Sequence, residues 1–244
     1  MSKLSRRDLL KGTAIAGASA VGIFNSVYGF SRVLGQDMAA NDDLATIINV
    51  AATAELFATT HYLAAVNSAS ALGLDDAQVA YMKAGFLAEQ DHFELLTSLG
   101  AVPVVTEFFV PEALFSDIDL FTATTEVAET TFVAAYLAAT RIFAEGGKDT
   151  AAYAVTTAQI AAVEAEHRAL IRQIGKKLAN GLSYAMYQVH NVSDAVPVLQ
   201  PFLDGKAEGF MGPVAPPTAD DIAAIRAEAE ALGYDTTVKP YAAM

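Results

Sequence analysis

The pattern of hydrophobic and polar positions predicts two long helical regions that are framed by proline. Proline, the residue that a helix interior tolerates least, is absent before Pro103 and between Pro111 and Pro197. Each region is divided by a helix stop followed by a polar helix start. The predicted starts are Asn41-Asp42-Asp43, Asp75-Asp76, Ser116 or Asp117, and Asp149 or Thr150, and the predicted stops are Gly73, Gly100, Gly146-Gly147 and Asn180-Gly181. Four helices of roughly 25 to 30 residues result, each about 40 Å long.

The lengths of the connections predict how these four helices are arranged. Short turns at 73–75 and 146–149 join consecutive helices into two antiparallel hairpins. A longer connection at 101–115 joins the hairpins as a crossover, so that the second and third helices run parallel. The fold class is therefore predicted to be all-α, with a four-helix bundle at residues 41–180.

The remainder of the chain has a different pattern. After Gly181, repeated prolines predict an irregular C-terminal extension over residues 181–244. A short amphipathic helix is expected near Asp220 to Leu232. This extension is expected to pack on the bundle or on a neighbouring chain.

Composition narrows the chemistry that the bundle can carry. With 53% hydrophobic residues and 8 prolines in 244 positions, the chain is globular rather than disordered or collagen-like. The absence of cysteine excludes disulfides, thiolate zinc sites and thiol catalysis, so that any metal must be held by carboxylates and imidazoles. The formal charge of −13 disfavours nucleic acid as a partner, because a phosphate backbone attracts basic proteins.

Residues 1–40 differ from the acidic remainder of the chain, because they contain five basic residues and only two acidic ones. The sequence Ser-Arg-Arg-Asp-Leu-Leu-Lys at 5–11, followed by the apolar run 12–24, resembles a twin-arginine signal peptide. The resemblance implies export of a folded, metal-loaded protein to the periplasm or the cell exterior. An ordinary basic helix start is the alternative. Met38-Ala39-Ala40 fits a cleavage site of small residues, and an uncleaved segment would be the expected contact with a membrane.

Two of the four histidines follow a glutamate by three residues, in Glu89–His92 and Glu164–His167. Residues i and i+3 share one face of a helix, so each pair can bind one ion through a carboxylate oxygen and an imidazole nitrogen. The helical neighbours of both pairs are apolar, which predicts that these carboxylates point into the core. A buried ionised carboxylate is costly unless it is paired or bound to metal. The alternative is a set of ion pairs or hydrogen bonds to core histidines.

The other two predicted helices supply one candidate glutamate each. Glu55 precedes Glu89 by 34 residues and Glu129 precedes Glu164 by 35. Each hairpin thus repeats one glutamate followed by Glu-x-x-His, which predicts two half-sites related by an approximate twofold axis. Four carboxylates and two imidazoles suit two oxygen-preferring ions such as iron or manganese, about 3.5 to 4 Å apart.

The segments that carry these residues resemble the ferritin-like di-iron carboxylate superfamily, and most of all the ferritin-like domain group that includes plant desiccation-related proteins. The resemblance covers roughly residues 41–180 and is carried by FLAEQDHFELL from Phe86, ETTFVAAYL from Glu129 and VEAEHRALIR from Val163. It implies two iron ions, with manganese as an alternative. The metal ligands that it implies are Glu55, Glu89, His92, Glu129, Glu164 and His167.

The resemblance also implies a function, namely metal-dependent oxidation of Fe(II) or reaction with oxygen or peroxide. The alternative is a non-enzymatic exported protein for stress protection or envelope association, whose metal site is structural or vestigial. The sequence has no nucleophile motif or phosphate-binding loop that assigns a catalytic residue or a substrate. Assembly into a homo-oligomer stays open.

Several other residues near these positions are weaker candidates. Glu126, one turn before Glu129, is an additional or substitute ligand. Tyr136, two turns after Glu129, lies near the site or fills the core. His61 lacks spaced partners and is expected at the surface or at a helix cap. Residues expected to face solvent or to orient the imidazoles are Asp91, Glu94 and Glu166.

Overall fold

The computed structural model of the chain describes residues 40–241, and it confirms the all-α fold. The proposed signal segment lies outside the described residues. The helices are α1 Leu44–Asn67, α2 Ala69–Leu72, α3 Asp76–Ser98, α4 Ile118–Glu145, α5 Ala151–Ile174, α6 Val196–Asp204 and α7 Ala219–Ala231. Two strands, β1 Phe108–Pro111 and β2 Phe210–Val214, and two 3-10 turns, Gly147–Asp149 and Val192–Ala195, complete the described elements. The bundle consists of α1, α3, α4 and α5.

Polar caps start three of the four bundle helices where the sequence predicts them. Asp43 accepts a hydrogen bond from the backbone N–H of Thr46 at 2.7 Å. Asp75 and Gln78 form a reciprocal capping box at the start of α3. Asp117 accepts from two N–H groups in the first turn of α4. Each cap satisfies backbone donors that would otherwise lack a partner, which fixes the first turn.

The predicted end of the fourth bundle helix is wrong. Instead of continuing to residues 180–181, α5 ends at Ile174. Lys176 has a left-handed backbone with φ 55°, and the N–H of Lys177 donates to the carbonyl of Arg172 at 2.8 Å. This is the hydrogen-bond pattern of a Schellman ending, which normally uses glycine. Lys177 also donates to Glu126 at 2.5 Å, so a tertiary ion pair holds the ending in place.

The two hairpins are the main packing units of the bundle. α1 packs along α3, and α4 packs along α5, through short turns. Apolar clusters flank the middle of the bundle on either side, one containing Phe86, Phe121 and Ile171 and the other containing Leu96 and Ile160. The helix α4 has the length and hydropathy of a membrane-spanning segment, but more than half of that stretch is buried inside the bundle. Its apolar composition is that of a core helix.

The C-terminal extension packs on the bundle of its own chain. The predicted short helix is present as α7, whose Ile225 and Ala229 are buried in the cluster around Phe86. The helix α6 and the strand β2 were not predicted. The strand β2 pairs antiparallel with β1 of the crossover, with Phe108 opposite Val214. The crossover and the extension are thereby joined at one side of the bundle.

Candidate metal centre

The structure brings all six predicted ligands together in the middle of the bundle, between the two flanking apolar clusters. Glu55 comes from α1, Glu129 from α4, and one Glu-x-x-His pair each from α3 and α5. The four glutamates are at most 1% exposed, which is rare for a charged residue type. The side chains of His92 and His167 are 12% and 8% exposed. Each bundle helix therefore turns at least one titratable group into the core of the bundle.

One half of the site is centred on the imidazole of His92. Its Nδ1 atom lies 3.3 Å from a carboxylate oxygen of Glu164, 3.4 Å from one of Glu89 and 3.6 Å from one of Glu55. The donor atoms of these four residues all lie within 4.8 Å of one another. Such a spacing allows one ion to contact all four.

The other half is centred on His167. Its Nδ1 atom lies 3.0 Å from Glu89, 3.1 Å from Glu164 and 3.9 Å from Glu129, and these four residues also offer donor atoms within 4.8 Å of one another. Glu89 directs Oε1 toward His167 and Oε2 toward His92, and Glu164 directs Oε2 toward His167 and Oε1 toward His92. These two carboxylates are therefore shared by both halves, whereas Glu55 and Glu129 are terminal.

Several buried polar atoms of the site lack a hydrogen-bond partner, and this fits a metal-binding role. Among the described residues, seven buried side-chain atoms have no hydrogen-bond partner, and six of them belong to this site. They include both oxygens of Glu89, one oxygen each of Glu55, Glu129 and Glu164, and Nδ1 of His92. Buried polar atoms normally have partners, because an unmade hydrogen bond is costly. A pair of cations among these atoms would satisfy them, so the residues present fit a dinuclear metal centre.

Two tyrosines hold the terminal glutamates in a crossed arrangement. The hydroxyl of Tyr62 on α1 donates to Oε1 of Glu129 on α4 at 2.5 Å, and the hydroxyl of Tyr136 on α4 donates to Oε1 of Glu55 on α1. Each tyrosine thus leaves Oε2 of the opposite carboxylate without a partner. The contact of Tyr62 with Glu129 was not predicted from the sequence. The available signal was the repeated spacing, because each tyrosine follows a terminal glutamate by seven residues.

Burial and proximity control the protonation of the carboxylates. Burial raises the pKa of Glu55 well above its ordinary value, and the charges of Glu89 and Glu164 raise it further. Burial also raises the pKa of Glu129, although the charge of His167 opposes this. For Glu89, burial acts upward but is outweighed by the charge of the adjacent His167 imidazole, so that its pKa is lowered. The terminal carboxylates thus tend to hold protons, whereas Glu89 is ionised.

The same surroundings also shift the pKa values of the two imidazoles, because burial lowers these values and the neighbouring carboxylates raise them. Burial alone lowers the pKa of His92, but the neighbouring carboxylates of Glu164 and Glu55 raise it well above the ordinary value. For His167, burial is likewise outweighed, here by the charge of Glu89 and by the hydrogen bond that the imidazole donates to Glu164. In the absence of metal, both imidazoles are therefore cationic partners of the carboxylates at neutral pH.

Glu126 is not part of the site, although its spacing made it a candidate. Its carboxylate accepts hydrogen bonds from Arg172 and Lys177 and lies 3.7 Å from Arg168. These basic groups lower the pKa of Glu126 against the effect of burial. The ion pairs hold the side chain at the edge of the bundle, where it stabilises the end of α5.

The expectation for His61 is wrong, because this residue is buried in the core. Its ring stacks on Phe121 with a centroid distance of 5.1 Å, and its Nε2 atom lies 2.8 Å from the hydroxyl of Thr125. Burial lowers the pKa of His61 to about 4. It is a neutral core histidine next to the site.

The acidic residues around the site differ in their contacts. Asp91 accepts a hydrogen bond from Arg226 on α7 at 2.8 Å, and Glu94 accepts one from Gln90 at 2.9 Å. Glu166 is exposed. Among the described contacts, these side chains bond to groups other than the imidazoles of the site.

An open cavity of about 850 Å³ lies between α3 and α5 and reaches His92 and His167. α7 and the residues that follow it, including Tyr234 and Lys239, cover its far side. We call this cavity the chamber. It connects the metal-binding cluster with solvent.

Comparison with known families agrees with this geometry. A family model described as a ferritin-like domain matches residues 43–177, which span the four bundle helices. The match covers more than half of the chain, so the chain belongs to the ferritin-like domain family, and the expected superfamily is confirmed. No curated protein and no solved structure matches the chain with significance.

Proposed function

We propose that the chain binds two iron or manganese ions in the middle of its bundle, and that it uses them for oxidation with oxygen or peroxide. The observation that carries this proposal is the convergence of six unpartnered buried atoms with paired Glu-x-x-His motifs. When bound, a pair of iron ions supplies two electrons as it passes between the divalent and trivalent states. Fe(II) itself is the proposed electron donor.

The six proposed ligands together have the charge that a dinuclear centre requires. Four carboxylates balance two divalent cations once the imidazoles are neutral, so that the loaded core has no net charge. Glu89 and Glu164 would each contact both ions, and Glu55 and Glu129 would each contact one. His92 and His167 would add one Nδ1 ligand to each ion. Carboxylate and imidazole ligands suit iron and manganese alike.

The protein residues also prepare the site for reaction. Tyr62 and Tyr136 fix the terminal carboxylates through Oε1, and burial raises the pKa of both phenols, so that they remain hydrogen-bond donors. The chamber leads to the imidazole side of the cluster, so that small molecules can reach its edge. This access favours the oxidative function over a structural metal pair.

The first test measures metal content by mass spectrometry in protein reconstituted with Fe(II) without oxygen. The wild type should hold about two ions per chain, and the double variant Glu89→Gln, Glu164→Gln should lose them, because both shared ligands are removed. A matched control is Glu107→Gln, Glu230→Gln, which changes two exposed glutamates outside the site. Equal metal content in the wild type and the Glu89, Glu164 variant would refute the ligand assignment.

The second test separates oxidation from structural binding. Adding oxygen or peroxide to the Fe(II)-loaded wild type should produce ferric absorbance faster than in buffer alone. A protein that holds its two ions but oxidises Fe(II) no faster than buffer would rule out the oxidative function and favour the non-enzymatic alternative.

We also propose export by the twin-arginine route, on the basis of the sequence at 5–11. Fusion of residues 1–40 to a folded reporter should place the reporter in the periplasm. Replacement of Arg6 and Arg7 by lysine keeps the positive charge and should abolish this export, since the route recognises the arginine pair. Export of the lysine variant at the wild-type level would contradict the proposal.

A further inference from the structure

The chamber has walls from three parts of the fold. Ala84 and Ala88 of α3 form one wall, and Ile160 and Val163 of α5 form the opposite wall. The far side comes from the C-terminal extension, through Arg226 on α7 and the residues from Tyr234 to Pro240. The chamber is thus lined mainly by small and apolar side chains on the bundle side.

The chamber meets the metal-binding cluster at the two histidines. His92 and His167 line it, whereas the four glutamates do not. The Nδ1 atom of each ring faces the carboxylates, so the opposite edges of the rings face the chamber. A molecule in the chamber would therefore lie against the imidazole rings, on the side away from the carboxylates.

The volume of the chamber exceeds what metal ions and oxygen need. A water molecule accounts for about 30 Å³ in the liquid, and oxygen or peroxide is of similar size. Sites for small organic ligands measure about 300 to 1,000 Å³. The chamber, at about 850 Å³, falls in the latter range.

The wall from the C-terminal extension is held in place by specific contacts. Arg226 donates to Asp91 of α3 at 2.8 Å, and the side chain of Gln159 on α5 accepts from the backbone N–H of Tyr241 at 2.8 Å. Ile225 and Ala229 of α7 are buried against the bundle. The extension thus forms a fixed wall that is anchored to both α3 and α5.

The lining groups define the kind of molecule that the chamber can hold. Tyr81, Tyr234 and Gln159 place hydroxyl and amide groups around the apolar walls. Apart from the histidines, its charged lining groups are four carboxylates and two basic groups: Asp91, Glu94, Glu166, Asp235, Arg226 and Lys239. Arg226 is already bonded to Asp91, and Lys239 donates to a backbone carbonyl. In the loaded protein, where the imidazoles are neutral ligands, an anionic molecule would meet an excess of negative charge.

We propose that the chamber binds a small uncharged organic molecule, with an apolar body and a hydroxyl group, beside His92 and His167. The inference deepens the proposed function, on which it rests, because it places an organic molecule beside the dinuclear centre. Binding itself requires no turnover. It can therefore be measured in the metal-free protein and in the loaded protein.

Phenol and benzoate are suitable probes, since they share an aromatic ring and differ in charge. In the metal-loaded protein, ligand-observed NMR should detect phenol with a dissociation constant on the order of 1 mM, and benzoate at least ten times more weakly. In protein loaded with Mn(II), the resonances of bound phenol should broaden strongly, because the unpaired electrons lie nearby. Protein loaded with diamagnetic Zn(II) is the control and should not broaden them.

Two variants fill the chamber from opposite walls, namely Ala84→Phe and Val163→Phe. Both positions are half-buried, so the added rings can enter the cavity without displacing the core. Each variant should weaken phenol binding at least tenfold. Ala77→Phe is the matched control, because Ala77 is exposed on α3 outside the chamber, and it should bind phenol like the wild type. Circular dichroism checks that the variants keep their helices.

Three results would overturn the inference: benzoate binding as tight as that of phenol, unchanged phenol affinity in both filled variants, or no Mn(II)-specific broadening in protein that carries its metal. Absence of phenol binding in protein that holds about two metal ions would likewise reject the chamber as a ligand site, and it would leave the proposed function standing. Loss of metal binding alone would reject the proposed function.

Discussion

Loading the site with divalent metal should release protons, and their number follows from the environment of the side chains. Metal ligands must be deprotonated, so that every proton held by a ligand at the working pH has to leave. Neighbouring carboxylates raise the pKa of His92 and His167 well above the ordinary value, which places one proton on each imidazole at neutral pH. Burial raises the pKa of Glu55 and Glu129, which adds up to one proton on each.

The expected release is therefore about two to four protons for each pair of ions. An imidazole whose pKa is raised well above its ordinary value holds its proton at neutral pH and loses it only as the pH rises through the raised value. Proton release should thus decrease at higher pH, while the affinity for metal should increase. Tyr62 and Tyr136 should contribute no protons, since burial raises the pKa of both phenols.

The assay adds Mn(II) anaerobically to protein in a very weak buffer and follows a pH indicator. Anaerobic Mn(II) avoids the protons that iron oxidation would add. The Glu89→Gln, Glu164→Gln variant is the control and should release almost none. Tight binding of two ions by the wild type without measurable proton release would refute the assignment of His92 and His167 as protonated ligands.

Three further predictions concern the stability of the metal-free protein, measured by urea unfolding. Because the native state keeps His61 neutral with a pKa of about 4, only the unfolded state binds this proton between about pH 6.5 and 4. The free energy of unfolding should therefore fall by about 3 kcal/mol on acidification over this range. His61→Leu should remove this part of the pH dependence, and an unchanged slope in the variant would contradict the prediction. Tyr136→Phe removes the donor to Glu55 and should lower the free energy of unfolding by about 1.5–3 kcal/mol, whereas no loss would show that the bond contributes little. A Cβ on Gly175 would lie 2.9 Å from the Thr122 hydroxyl, so Gly175→Ala should cost about 1–3 kcal/mol, and a stabilised variant would contradict the close approach of α4 and α5.

Local patterns in the sequence were sufficient for much of the bundle. The caps at Asp43, Asp75 and Asp117 act within one turn, so their positions could be predicted from neighbouring residues alone. The two Glu-x-x-His motifs were predicted in the same way, because helical spacing sets which residues share a face. The places of Glu55 and Glu129 in the cluster followed from the repeat of this layout in both hairpins.

Features that depend on distant residues could not be predicted in this way. α5 ends at Ile174 with Gly175 as its C-cap, which is a local signal, but the ending is also held by the ion pair of Lys177 with Glu126, which lies 51 residues away in sequence. His61 is buried because Phe121 and Thr125 of another helix cover its ring. These outcomes are decided by which helices face each other, and that information is absent from local propensity.

The crossed contacts of the site have a consequence for how the bundle holds together. Neither hairpin contains a complete ligand set, because His92 relies on Glu164 of the other hairpin and His167 relies on Glu89. The tyrosine bonds also run from one hairpin to the other. Bound ions would therefore act as a cross-link along the seam between two halves, each of which packs mainly within itself. An apolar cluster that contains Phe86, Phe121 and Ile171 also spans this seam, so chelation should weaken the seam more than either hairpin without separating the halves.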